Sequence, residues 1–123
     1  MLGDKRAISE EAIAGYKLFE SKGCVACHNG LNIGGGMFQK FGIFDEKSIK
    51  RGDDLGLYSI TKRDEDKYVF RVPSLRNVAK SAPYLHDGSV QTLKEVIRLM
   101  IKHQIGEKVD EKADVILIPF FAL

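Results

Sequence analysis

The chain has 123 residues, 44% of them hydrophobic and 29% charged, the balance of an ordinary globular protein long enough for one modest core. Nineteen basic against 17 acidic residues leave a formal charge of +2, too weak a bias to point to nucleic acid or an anionic membrane. The one strongly apolar run, residues 115–123, is interrupted by Pro119 and is too short to cross a bilayer. It reads as a buried helix end, and a single domain over residues 1–123 is expected.

The opening Met1-Leu2-Gly3-Asp4-Lys5-Arg6 is polar and has no export-signal pattern, so an exported protein would have lost its leader. Residues 40–80 carry ten basic and seven acidic groups, against four and four before them and five and six after. Any electropositive surface is expected from this middle third, although a solvated mixed-charge loop has the same composition.

Ser9 suits a helix N-cap, Glu10 and Glu11 suit a first turn, and Ile8, Ala12, Tyr16 and Phe19 recur at helical spacing. A helix over about 9–21 follows, closed by Gly23. Residues 29–72 are rich in glycine and charge and show no sustained period, so they read as loops and short turns. Gly34-Gly35-Gly36 lacks the Gly-Lys-Ser/Thr ending of a phosphate cradle, and loop flexibility beside a flat cofactor is the better account. Pro73 restarts order, with a short helix expected over Ser74–Lys80 before Pro83. Thr92-Leu93-Lys94-Glu95 is a capping box, and Leu93, Val96, Ile97, Met100 and Ile101 form an apolar helical stripe. A last helix over about 110–121 is expected to bend or end near Pro119. No convincing strand is found, so the fold class is mostly α, with long loops.

Cys24-Val25-Ala26-Cys27-His28 fits the C-x-x-C-H pattern of covalent haem c attachment. Two thiols add to the haem vinyl groups as thioethers, and the adjacent imidazole becomes an axial ligand. The alternatives fit less well. A thioredoxin-like pair expects a βαβ context, zinc needs four ligands where this chain has two Cys, and a disulfide leaves His28 unexplained. Such a haem fills the core as well as the site, so the apoprotein should fold poorly. The candidates for a second iron ligand are Met37, Met100, His86 and His103. Met100 is preferred, because it lies on the apolar stripe and carries a sulfur lone pair. His103 falls off that stripe, Met37 has little slack beyond His28, and the His-Asp-Gly turn should aim His86 at backbone or a propionate.

From Gly15 to about Phe121 the chain resembles the second, electron-transferring haem domain of the bacterial dihaem cytochrome c peroxidases. The matching residues are Gly15, Leu18-Phe19, Cys24–His28, Phe70-Arg71-Val72-Pro73-Ser74-Leu75-Arg76-Asn77-Val78, Ala82-Pro83-Tyr84-Leu85-His86-Asp87-Gly88 and Thr92-Leu93. The resemblance implies a cytochrome c-like helical domain around one covalent haem c. In that family a methionine fourteen residues beyond the His of the Pro-Tyr-x-His-Asp-Gly block ligates the iron, and here that position is Met100. The full peroxidases have a second C-x-x-C-H domain, which this chain lacks. Family calcium sits at the junction of two domains, partly on carbonyls matching Ser81 and Pro83, which alone are too few for tight binding. Arg76 is a candidate contact for a haem propionate, although a solvated arginine is the preferred reading.

The expected function is one-electron transfer through a His28/Met100-ligated haem, in exchange with redox partner proteins, on the periplasmic side of a membrane. The rivals are a fragment or subunit of a dihaem peroxidase, acting with a second haem domain on hydrogen peroxide, and a haem sensory module of a longer protein.

Overall fold

Helix α1, Glu10–Ser21, begins at the expected cap, where the Ser9 hydroxyl accepts the Ala12 amide at 3.2 Å. The computed structural model describes residues 8–44, 53–108 and 111–122. Lys47, Lys50 and Arg51 of the basic middle third, and the polar start Met1–Arg6, lie outside the described residues. α1 buries Ala12, Gly15 and Phe19, one stripe at helical period. It stops at Gly23, whose φ of 77° lies in the left-handed region. Cys24–Ala26 then form a single 3₁₀ turn.

The expectation of no strand is corrected. β1, Phe38–Lys40, pairs antiparallel with β2, Val69–Arg71, setting Phe38 against Arg71, Gln39 against Phe70 and Lys40 against Val69. Three-residue strands are too short to show a period, and the pairing is long-range. Between them lies α2, a single turn over Tyr58–Thr61. The helix expected at Ser74–Lys80 shrinks to a 3₁₀ turn at Val78–Lys80, because Asn77 takes a left-handed φ of 56°.

α3 spans Leu93–Met100 with the capping box complete: Thr92 Oγ1 accepts the Glu95 amide and Glu95 accepts the Thr92 amide. Straight after Met100, residues Ile101–Ile105 widen into a π-turn, ended by Gly106 at a φ of 76°. α4, Glu111–Phe121, runs through Pro119. Helical period faces Ala113, Leu117 and Phe120 inward, whereas Val115 and Ile116 are exposed, so the terminal apolar run is buried on one face only.

The core is the meeting of α1, α3 and α4: Phe19, Ile97, Ile101, Ala113, Leu117 and Phe120. Burying each large side chain there contributes about 1.5–3 kcal/mol before entropy is counted. Phe19 and Phe120 lie 5.3 Å apart between ring centres, and Tyr16 is 5.5 Å from Phe120. Gly15 permits this closeness, since a Cβ there would stand 2.6 Å from the Ile116 carbonyl oxygen and 2.8 Å from Phe120 Cβ. The result is a mostly helical, cytochrome-like arrangement with a small two-stranded sheet. Among the described residues no helix is long and apolar enough to cross a membrane.

Candidate functional site

The Gly23 turn delivers Cys24 against the core, while the 3₁₀ turn carries Cys27 and His28 around it. The Cys27 and His28 amides both donate to the Cys24 carbonyl, at 3.3 and 2.9 Å. Cys24 and Cys27 are half-buried and are not joined in a disulfide. Burial pushes the Cys24 thiol up from its usual range, so it stays protonated at neutral pH. Gln39 Nε2 on β1 stands 4.0 Å from Cys27 Sγ.

The His28 ring lies 6.4 Å from that of Phe19, at the margin of the core. Burial pushes its imidazole below the usual value, and the carbonyls of Pro73 and Ile33 oppose that shift. Neither carbonyl reaches hydrogen-bond geometry with Nδ1, which is buried without a partner among the described residues. A neutral imidazole is the form that binds metal.

The loop behind His28 is laced to the chain around Pro73. Ile33 O accepts from Leu75 N at 3.1 Å, Val72 O accepts from Gly35 N at 2.8 Å, and Asn32 O accepts from Ser74 Oγ at 2.6 Å. Arg71 donates twice to Gly35 O, at 3.1 and 2.9 Å. A 330 Å³ cleft remains between the two segments, lined by Asn32, Arg71, Ser74 and their neighbours. At Gly34 the φ is 130° and an added Cβ would stand 2.1 Å from Pro73 O. The glycine therefore serves close approach, not the flexibility expected of it.

On α3 the apolar stripe divides. Leu93, Ile97 and Ile101 join the core cluster, whereas Val96 and Met100 are half-buried and are not part of it. An apolar edge left outside the protein core, carrying a thioether, suits contact with a large apolar group. Met37 is also half-buried, with its carbonyl accepting the Val72 amide at 2.9 Å.

The two remaining histidines depart from expectation. His86 Nε2 pairs with Asp54 Oδ2 at 2.8 Å, and its ring stacks on Phe70 at 4.9 Å. His103, expected off the apolar face, is 7% exposed, because the π-turn rotates it inward. Arg76 is exposed, and the cis Ala82–Pro83 bond directly follows Ser81. Among the described residues no cluster of three or more His, Cys, Asp or Glu forms a metal site made of side chains alone. Two thiols outside any disulfide, a half-buried imidazole whose Nδ1 is buried and a half-buried thioether do fit haem c.

No protein-family model matches the chain. Individual relatives do. The cytochrome c551 peroxidase of Pseudomonas aeruginosa is 41% identical over 108 residues, 86% of this chain and 31% of that protein. The cytochrome c551 peroxidase of Nitrosomonas europaea is 39% identical over 106 residues, again 86% of this chain and 31% of the relative. The methylamine utilization protein MauG of Methylorubrum extorquens is 36% identical over 110 residues, 87% of this chain and 29% of MauG. Among solved structures, a MauG-like protein associated with microbial copper homeostasis matches at a TM-score of 0.81 and 26% identity, covering 98% of this chain and 48% of that one. The chain thus spans about a third of the length of the curated relatives it matches, at 31% of the two peroxidases. By sequence and by fold, it is a homologue of the cytochrome c peroxidases and MauG and resembles a cytochrome c peroxidase-like haem domain.

Proposed function

We propose that this chain is a single cytochrome c domain, holding one haem c and passing single electrons between redox partner proteins. The observation that carries the reading is the turn on which two unpaired half-buried thiols stand beside an imidazole whose Nδ1 is buried without a partner. Cys24 and Cys27 would hold the group as thioethers, and His28, through Nε2, and the Met100 thioether would be its iron ligands. When bound, haem supplies a one-electron iron couple, which a His/Met ligand pair sets to a higher potential than a bis-His pair does. The chain's own part is to exclude water with the core around Phe19 and Ile97, keep His28 neutral, and hold the thioether ready. Because thioether attachment is carried out on the exported side of a membrane, the periplasm is the proposed location.

The decisive experiment is acidic organic extraction of the purified holoprotein together with visible spectra in both oxidation states. Colour that stays with the protein, and an iron–sulfur charge-transfer band lost in Met100→Ala but kept in Met37→Ala, is the expected result. Extraction of the colour into solvent would overturn covalent attachment.

A second reading is favoured by the names of the relatives and by the third of their length that this chain spans. In it the chain is one part of a dihaem peroxidase and feeds electrons to a second haem domain. Stopped-flow mixing of the ferrous protein with peroxide separates the two. Turnover that requires an added haem partner supports the second reading, and no turnover under any pairing supports the carrier.

A further inference from the structure

Residues 37–44 form a strap between the two ends of the site. It starts at the haem-attachment end, where Met37 O accepts the Val72 amide at 2.9 Å and Gln39 Nε2 lies 4.0 Å from Cys27 Sγ. It finishes on the π-turn that follows Met100. There the Gln104 side chain takes hold of it three times: Nε2 donates to Lys40 O at 3.1 Å, and Oε1 accepts the Gly42 amide and the Ile43 amide, the latter at 3.4 Å. Phe44 N donates to His103 O at 2.9 Å, and the Phe44 ring lies over Gly106, where an added Cβ would stand 2.7 Å from Phe44 Cγ.

π-helical turns are rare and occur mostly as single turns in or beside α-helices, frequently at functional sites. Met100 stands at the junction of such a turn with a short helix whose other end is capped at Thr92. Its position therefore depends on what fastens residues 101–105, and the one side chain in that turn whose amide binds three backbone groups of the strap is Gln104.

We propose that Gln104 is a positioning residue for Met100: by tying the π-turn to the 37–44 strap it holds the thioether in place and governs how easily another ligand displaces it. This rests on the reading of Met100 as an iron ligand.

The test is imidazole binding to the purified ferric holoprotein, followed by loss of the iron–sulfur charge-transfer band. Gln104→Leu keeps the bulk and removes all three polar contacts, and imidazole uptake should become on the order of tenfold easier, from the loss of hydrogen bonds worth modest net amounts each. Gln104→Glu keeps an acceptor for the Gly42 and Ile43 amides and should fall between Gln104→Leu and wild type. Gly106→Ala, which displaces Phe44 without touching Gln104, should shift uptake the same way, and it carries the test if Gln104→Leu does not fold. Ser9→Ala destabilises the protein at the far end and should leave uptake unchanged. In a Met100→Ala background, adding Gln104→Leu should change nothing more, the mark of two residues acting through one bond.

Wild-type uptake in Gln104→Leu, or in Gly106→Ala where Gln104→Leu does not fold, or equal easing by Ser9→Ala, overturns the proposal. If Met100→Ala removes the band while Gln104→Leu behaves as wild type, the positioning role alone fails. If Met100→Ala keeps the band, the ligand reading fails and takes the positioning role with it.

Discussion

The His28 end and the Met100 end of the site are built on different principles. His28 belongs to a five-residue motif, and its loop is fastened by a short ladder of backbone bonds to residues 72–75, with Gly34 pressed on Pro73. Met100 is the last residue of α3 and is followed by a turn whose Gln104 side chain and His103 carbonyl bond to the backbone of residues 40–44. Both ends are fastened across long sequence separations, but the His28 loop is tied at several points to residues 71–75, whereas the turn after Met100 is tied through Gln104 and one backbone bond. The difference teaches where variation should change chemistry without unfolding the protein: at the Met100 end.

The sharpest way to break the comparison is Gly34→Ala. A methyl group cannot fit 2.1 Å from Pro73 O, and the φ of 130° disfavours any side chain, so the His28 loop must lift. We expect a loss of roughly 2–4 kcal/mol in urea unfolding of the holoprotein. A loss near zero would show the His28 end to be as adjustable as the other. Next comes a matched pair of caps. Ser9→Ala at α1 and Thr92→Ala at α3 should each cost about 1 kcal/mol of stability. Thr92→Ala alone should also weaken the iron–sulfur charge-transfer band, because α3 carries Met100, the proposed iron ligand. Equal optical effects from both would erase the distinction between the ends.

The smallest expected effect is at Asp87, in the turn that leads to α3. The Ser89 hydroxyl and then its amide hold the Asp87 carboxyl below the usual carboxylate range. A folded value below the unfolded one means stability that is present above the unfolded value of about 3.9 and lost as pH falls through the folded value. Asp87→Ala should therefore lower Tm slightly at pH 6, and the gap to wild type should close as the pH is taken below about 3.9. A gap that is constant with pH would show that the turn is held by its backbone alone.

What the sequence reveals follows the range of the interactions. The Ser9 cap and the Thr92–Glu95 box are each contained in four residues, and each is found where the pattern places it. The β1–β2 pair, the inward turn of His103 and the grip of Gln104 on residues 40–43 depend on segments about thirty to sixty residues apart, which no window of local periodicity can see. His86 shows the same limit: nothing around its turn announces Asp54 or Phe70 as partners. At Pro119 the local rules leave open a bend or an end within a helix over about 110–121, and α4 runs through Pro119 to Phe121, with Leu117 and Phe120 in the core beside it.

The close seat of α4 on Gly15 joins two helices about one hundred residues apart in the sequence. On a ribosome, which adds about 5–20 residues per second, the roughly one hundred residues between Gly15 and Phe120 take about 5–20 s to appear. During that time the Ala12–Phe19 stripe of α1 has no partner from α4. A chain in this state is a substrate for holdases and proteases, and a larger residue at position 15 would make the exposure permanent.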